Sequence, residues 1–328
     1  MNSNVFHDEL QLKCPAYKAL SDAKLRGWKS ETYVRPRVVL ATYEKYADNY
    51  RVHLLPKLPP SDGTQLRSKF FDMGSAPGGL CQAILEWPCM PDGRNNWYGV
   101  AVTLDPAEGG IPMRYVNESL EVRFANVQSE ERFLEDSVHA EDVEAYSFVN
   151  MGIVIDYNVR RHLNGSVPFY QQLTTQIRAT KLLLKPKGSF MMVLNWDYHS
   201  LPEVLCTFHI LLQHADALHM LPTVYTSTAG RKQFYLLVNG VTLTTELLDD
   251  LTTAWRKGFL RHSVALKRKI AQNTGEEYEL TPDETEAFHF PLDVVRAVID
   301  SITNSPVIDE LSSYCDMLRE ALEEGNMF

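Results

Sequence analysis

Short apolar runs alternate with longer amphipathic stretches through the middle of the chain, and this alternation sets the expected architecture. The runs at 70–73, 97–104, 122–125, 148–155, 188–194 and 233–238 have the length and the β-branched and aromatic content of buried strands. Between them, a helix starting at Gly79 and the stretches 169–184 and 201–215 carry apolar residues at helical spacing. Strands that alternate with helices predict an α/β fold. It is a doubly wound, mostly parallel, Rossmann-like sheet covered by helices on both faces.

The two ends read differently. Residues 1–65 are expected to be mostly helical, with a helix over 38–49 and a proline-rich connector over 54–63. Residues 244–328 show helical periodicity and no strand pattern. Leu247, Leu248, Leu251, Trp255 and Phe259 form one apolar stripe, and Val294, Val295, Val298 and Ile299 another, both suited to packing on a core. The expected organisation is therefore a helical N-terminal extension (1–65), a sheet domain (66–243) and a helical C-terminal appendage (244–328).

Composition adds limits. Its 328 residues suffice for one large core or two. No window approaches the roughly 20 apolar residues of a bilayer span, and the first 25 residues lack a basic region followed by an apolar one. Cys14, Cys81, Cys89, Cys206 and Cys315 are scattered, as reduced thiols are, with no C-x-x-C pair for a zinc site or a disulfide framework. The expectation is an intracellular protein, cytoplasmic or nuclear, with no membrane partner and no metal. Histidines such as His209 and His214 sit on an amphipathic helix and suit packing or surface roles.

The net charge of −10 is uneven. Residues 272–328 hold 14 Asp or Glu against Arg296 and Arg319, so the preceding chain is slightly basic. Basic clusters at 13–37 and 256–269 are candidates for phosphate contacts, or simply solvated faces.

The chemistry concentrates at Lys69-Phe70-Phe71-Asp72-Met73-Gly74-Ser75-Ala76-Pro77-Gly78-Gly79-Leu80. An apolar strand ends in an acid, passes a turn of small residues and enters a helix. Gly74, Gly78 and Gly79 can take positive φ and admit a close ligand, and Pro77 suits a first helical turn. Amides at that helix start face a polar group. The spacing is neither the G-x-G-x-x-G of a dinucleotide site nor a phosphate loop. A cofactor with an amino-acid end and a ribose fits better.

From Asp72 to Gly79 the chain resembles the FtsJ-like (RrmJ-type) ribose 2′-O-methyltransferases, whose motif reads D-[LM]-G-[SA]-A-P-G-G-[WF]; Leu80 stands in place of the aromatic. The resemblance spans roughly residues 69–240. It implies a methyltransferase sheet with S-adenosylmethionine held by Asp72, Gly74, Ser75, Ala76, Pro77, Gly78, Gly79 and Leu80, across the carboxyl ends of the first strands. It further implies ribose contacts from Asp105, adenine contact from Asn126 where the family usually has Asp, and a cofactor-side and catalytic role for Asp156.

In that family a Lys-Asp-Lys-Glu tetrad deprotonates the 2′-hydroxyl through a lysine of depressed pKa. Asp156 matches the Asp, and Lys45 is the candidate for the first lysine across a connector of different length. Val193 replaces the second lysine, and Gln233 the glutamate, so the base is missing. His162, His199 and Tyr157, with Asn195 and Asp197, follow strands near the cofactor and are other candidates for removing a proton. Two functions remain: a methyltransferase acting on RNA or a small molecule, and a catalytically inactive protein of the same fold serving as a binding or scaffold subunit.

Overall fold

The computed structural model describes residues 5–27, 42–59, 68–88, 95–127, 129–153, 169–196, 200–224, 226, 233–275 and 279–323. Seven strands form one sheet: β1 (Ser68–Met73), β2 (Trp97–Thr103), β3 (Leu120–Phe124), β4 (Tyr146–Met151), β5 (Leu184–Asn195), β6 (Ala217–Pro222) and β7 (Gln233–Val241). Their order is β3-β2-β1-β4-β5-β7-β6, with β1 to β5 parallel and β7 antiparallel to both neighbours. The chain winds outward from β1 through β2 to β3, then returns to build β4 and β5 on the other side. The expected doubly wound α/β sheet is present, and its switch point lies between β1 and β4, where open sheets present their ligand crevice.

Alternation along the strands divides the core in two. On one face Phe71, Met73, Val149, Phe190 and Met192 join one cluster, and on the other Phe70, Phe148, Met191, Val193 and Tyr235 join a second. The second face is covered by α3 (Tyr43–His53) and α4 (Gly79–Leu85). The first is covered by α6 (Phe169–Leu183), α7 (Leu201–Leu212) and helices from both ends of the chain. These are α1 (Val5–Lys13), α2 (Pro15–Gly27), α8 (Thr245–Thr274), α10 (Leu292–Thr303) and α11 (Val307–Glu323).

The two ends pack on each other. The α2 helix lies on α11 and α1 on α10. Phe6 meets Phe290 edge to face at 4.9 Å, Glu9 pairs with Arg296 at 3.2 Å, and Lys13 pairs with Asp300. Of the two C-terminal stripes, Leu247, Leu248, Leu251, Trp255, Val295, Val298 and Ile299 are buried, while Val294 faces outward.

Three elements differ from the sequence pattern. The helix expected over 38–49 appears as α3, capped at Thr42 and ended by the 3-10 turn Leu55–Lys57 with its proline; residues 38–41 lie outside the described set. Strand β6 has no counterpart in the expectation, because Ala217–Pro222 follows α7 after a short turn and mixes His219 with apolar residues. As an edge strand it tolerates Pro222. Helix α5 (Glu130–Ser137), capped by Ser129, has only a narrow apolar face under a heavily acidic one. No helix of the described residues is long and apolar enough to cross a membrane.

Candidate functional site

The sequence motif folds as a strand, a turn and a helix start. Asp72, at the end of β1, is 1% exposed and points between β4 and α4. Its carboxylate accepts hydrogen bonds from Asn150 Nδ2 at 2.7 Å, across the Asp72–Asn150 register pair, and from Cys81 Sγ at 3.3 Å. Burial pushes its pKa up to about 6 against those two bonds, and the same burial raises the Cys81 thiol well above its ordinary value. Asn150 Oδ1 is buried without a hydrogen-bond partner beside it.

The turn that follows is held by its own backbone. The amides of Gly74 and Ser75 both donate to the Val102 carbonyl, at 2.8 and 3.1 Å, Gly78 N–H donates to Ser75 O at 2.7 Å, and Gly152 N–H donates to Met73 O at 2.8 Å. Gly74 has φ +83°, and a Cβ there would stand 2.7 Å from the Gly152 carbonyl and the Ile153 nitrogen, so β1 and β4 leave the sheet in backbone contact. Gly79 opens α4 directly beneath α3, where a Cβ would lie 2.5 Å from Tyr46 Cβ.

Residues 110–117, between β2 and β3, cross the turn. Arg114 N–H donates to Pro77 O at 3.0 Å, the Ser75 hydroxyl approaches Met113 Sδ at 3.6 Å, and Tyr115 lies where a Cβ of Gly78 would be. The glycines that the sequence offered as room for a ligand are thus also required by the chain's own packing.

Asp105 and Asn126 stand at the carboxyl ends of β2 and β3, on the strands next to β1. Asp105 is half-buried; its Oδ1 accepts from Ala107 N–H at 2.8 Å and so caps a one-turn 3-10 helix. Asn126 Nδ2 donates to Glu108 Oε2 at 3.4 Å, tying the two strand ends together. The turn, Asp105 and Asn126 therefore lie side by side along one sheet edge. Fit to a cofactor is divided: Asp105 and Asn126 are only partly buried, while the amides of Gly74, Ser75 and Gly78 are already engaged.

Of the positions that the resemblance assigns to the tetrad's second lysine and glutamate, one is apolar and the other an amide, and two phenols lie beside them. Val193 is 8% exposed and sits opposite Tyr235 in the β5–β7 register, with Asn195 opposite Gln233. From α3, Tyr50 places its ring 5.3 Å from that of Tyr235, and its hydroxyl donates to the Tyr235 hydroxyl at 3.1 Å. Burial raises the Tyr50 phenol well above its ordinary range, with Tyr235 and Asp72 adding to it. A group so hard to ionise is a poor base at neutral pH. Lys45 lies exposed on α3, and Asp156, Tyr157, His162, Asp197 and His199 lie outside the described residues.

Sequence reasoning passed over Asn150, Cys81, Tyr50, Tyr235 and Tyr115. Tyr50 was readable, since Tyr43, Tyr46, Ala47 and Tyr50 make a helical stripe; Asn150 and Tyr115 were not, because their importance comes from strand register and from a loop crossing.

Four side chains of the basic cluster at 256–269 meet carboxylates of the protein itself. Helix α9 (Pro282–Ala287) brings Asp283 to 3.5 Å from Arg256, Glu286 to 3.7 Å from Lys257 and Glu284 to 2.8 Å from Lys267, while Arg261 pairs with Glu203 at 3.0 Å. Among the described residues, no three His, Cys, Asp or Glu side chains gather as metal ligands do.

No protein-family model matches the chain, and no curated protein does. Some solved structures are similar over part of the chain. A provisionally assigned ribosomal RNA methyltransferase of Plasmodium falciparum is 14% identical, with a TM-score of 0.37 over 55% of this chain and 90% of its own. A provisionally assigned hemolysin of Streptococcus thermophilus is 12% identical, with a TM-score of 0.36 over 70% and 78%. A SAM-dependent methyltransferase of Methanosarcina mazei is 10% identical, with a TM-score of 0.32 over 55% and 95%. Likenesses of this size do not assign an activity.

Proposed function

We propose that this chain binds S-adenosylmethionine along the carboxyl ends of β1, β2 and β3 and acts as an FtsJ-like methyltransferase on RNA or a small molecule. The observation that carries the reading is the placement of the Asp72–Gly79 turn, Asp105 and Asn126 on three consecutive strands beside the topological switch point. Asp105 would accept hydrogen bonds from ribose hydroxyls and Asn126 would contact the adenine edge. The residues from Gly74 to Leu80 would hold the amino-acid end. The cofactor supplies an activated methyl group; the protein's part is to hold it and align an acceptor.

A second reading is favoured by the Val193, Tyr235 and Tyr50 group. These side chains put burial and phenol hydroxyls where ribose methylation by a lysine base needs a cation, which suits a binding or scaffold subunit that keeps the fold without the reaction. Calorimetric titration of the full chain with S-adenosylmethionine tests the first reading: binding that Asp105→Ala abolishes supports it, and no heat at millimolar cofactor ends it. If cofactor binds, transfer of a tritiated methyl group to total RNA or to a metabolite extract supports the enzyme, and binding with no transfer to either supports the scaffold.

A further inference from the structure

The outer edge of the sheet at β3 is left open in an unusual way. Among the described residues no strand pairs with β3 on the side away from β2. Natural edges are commonly blunted by lysine, proline or a covering element. Here the strand reads Leu120-Glu121-Val122-Arg123-Phe124, with Val122 38% and Phe124 49% exposed. Upstream in the sequence, Ile111 and Val116 are also exposed.

Backbone direction decides what this edge can accept. The bonds Gly99 N–H to Ser119 O and Ala125 N–H to Thr103 O turn the odd-numbered residues toward β2. In a parallel ladder the even-numbered residues then turn their backbone groups the other way. Val122 and Phe124 thus offer both N–H and C=O outward, and Leu120 offers its carbonyl, its N–H being bonded to Asn117 O at 3.1 Å.

The side chains are symmetric about Val122. In an antiparallel pairing of β3 with another β3, centred there, Val122 meets Val122 as a hydrogen-bonded pair and Leu120 meets Phe124 on the same face. On the opposite face Glu121 meets Arg123. Each Glu121 already binds its own Arg123 at 2.7 Å, while Asp142 holds the far side of the guanidinium. Twofold pairing would therefore set glutamate against arginine and never like against like. We propose that the partner of this edge is a second copy of the chain, joined β3 to β3 across a twofold axis so that the two sheets become one. A five-residue strand with two flanking apolar side chains lies at the small end of protein interfaces, so the dimer dissociates on dilution.

Sedimentation velocity on the full chain over a concentration series tests this. The expected result is movement from the 37.4 kDa monomer toward twice that mass as concentration rises. Val122→Lys, which opposes two lysines at the axis, and Phe124→Lys should each weaken association by about tenfold or more, with thermal melts like wild type because both positions are solvent-facing. Hydrogen exchange supplies a second readout: the Val122 and Phe124 amides gain protection with concentration in the wild type and not in Val122→Lys. A wild type that stays monomeric, including one that instead takes up an extended peptide on this edge, overturns the proposal. So does a dimer that both lysine variants leave intact.

Discussion

Asp72 is ionised at a cost, and replacing it should reveal that cost as a function of pH. Burial raises its carboxyl from 3.8 to about 6. Because the folded state holds the proton more tightly, the contribution of this group to stability is complete below about pH 3.8 and is lost as pH rises through about 6. By linkage the loss amounts to about 3 kcal/mol on the alkaline side. Asp72→Asn keeps the shape and still accepts from Asn150 Nδ2; its amide NH2 stands where Oδ2 accepted the weak bond from the Cys81 thiol, whose sulfur can accept instead. The variant should therefore be more stable than wild type by up to about 3 kcal/mol above neutrality, and roughly equal to it near the lower limit of that window. Urea unfolding of both proteins at the two ends of the window measures the difference directly. A gap that does not change with pH, or a variant less stable than wild type at the alkaline end, would refute the reasoning.

Two further outcomes follow from the same region and its neighbour. Gly74→Ala should cost about 1–3 kcal/mol for the positive φ alone, plus the displacement of Gly152 and Ile153, and should lower the urea midpoint; unchanged stability would show that the backbone contact between β1 and β4 can open freely. Arg123→Met should cost about 3–5 kcal/mol by stranding the buried Asp142. Burial opposes ionisation of Asp142, but the bonds from Arg123 and Tyr146 win and hold its pKa below the usual carboxylate range. That support is present above the unfolded pKa and is lost as pH falls, so the deficit of Arg123→Met should shrink in acid, as equilibrium unfolding would show.

The strands of the sheet interior were legible because each is a short apolar run between turn residues, and the motif at Asp72 was legible as a strand, a turn and a helix start. What the sequence hid was set by tertiary register. Asn150 matters because it lies opposite Asp72, and Tyr235 because it lies opposite Val193. Strand β6 was hidden because an edge strand need not be continuously apolar. The basic face of α8 read as a phosphate contact or a solvated face, and the acids that α9 sets beside Arg256, Lys257 and Lys267 were not legible. The Gly-rich turn was read as space for a ligand, yet the room at Gly78 and Gly79 is taken by Tyr115 and Tyr46, which lie far along the chain on either side.

The missing side chain at Gly79 has a mechanical consequence. With α3 resting on the first turn of α4, and Tyr50 extending from that same helix to the Tyr235 hydroxyl on β7, the turn and the far half of the sheet are joined through a single rigid rod. The turn and the Tyr50–Tyr235 pair therefore share one helix as their support, although β1 and β7 are not neighbours in the strand order.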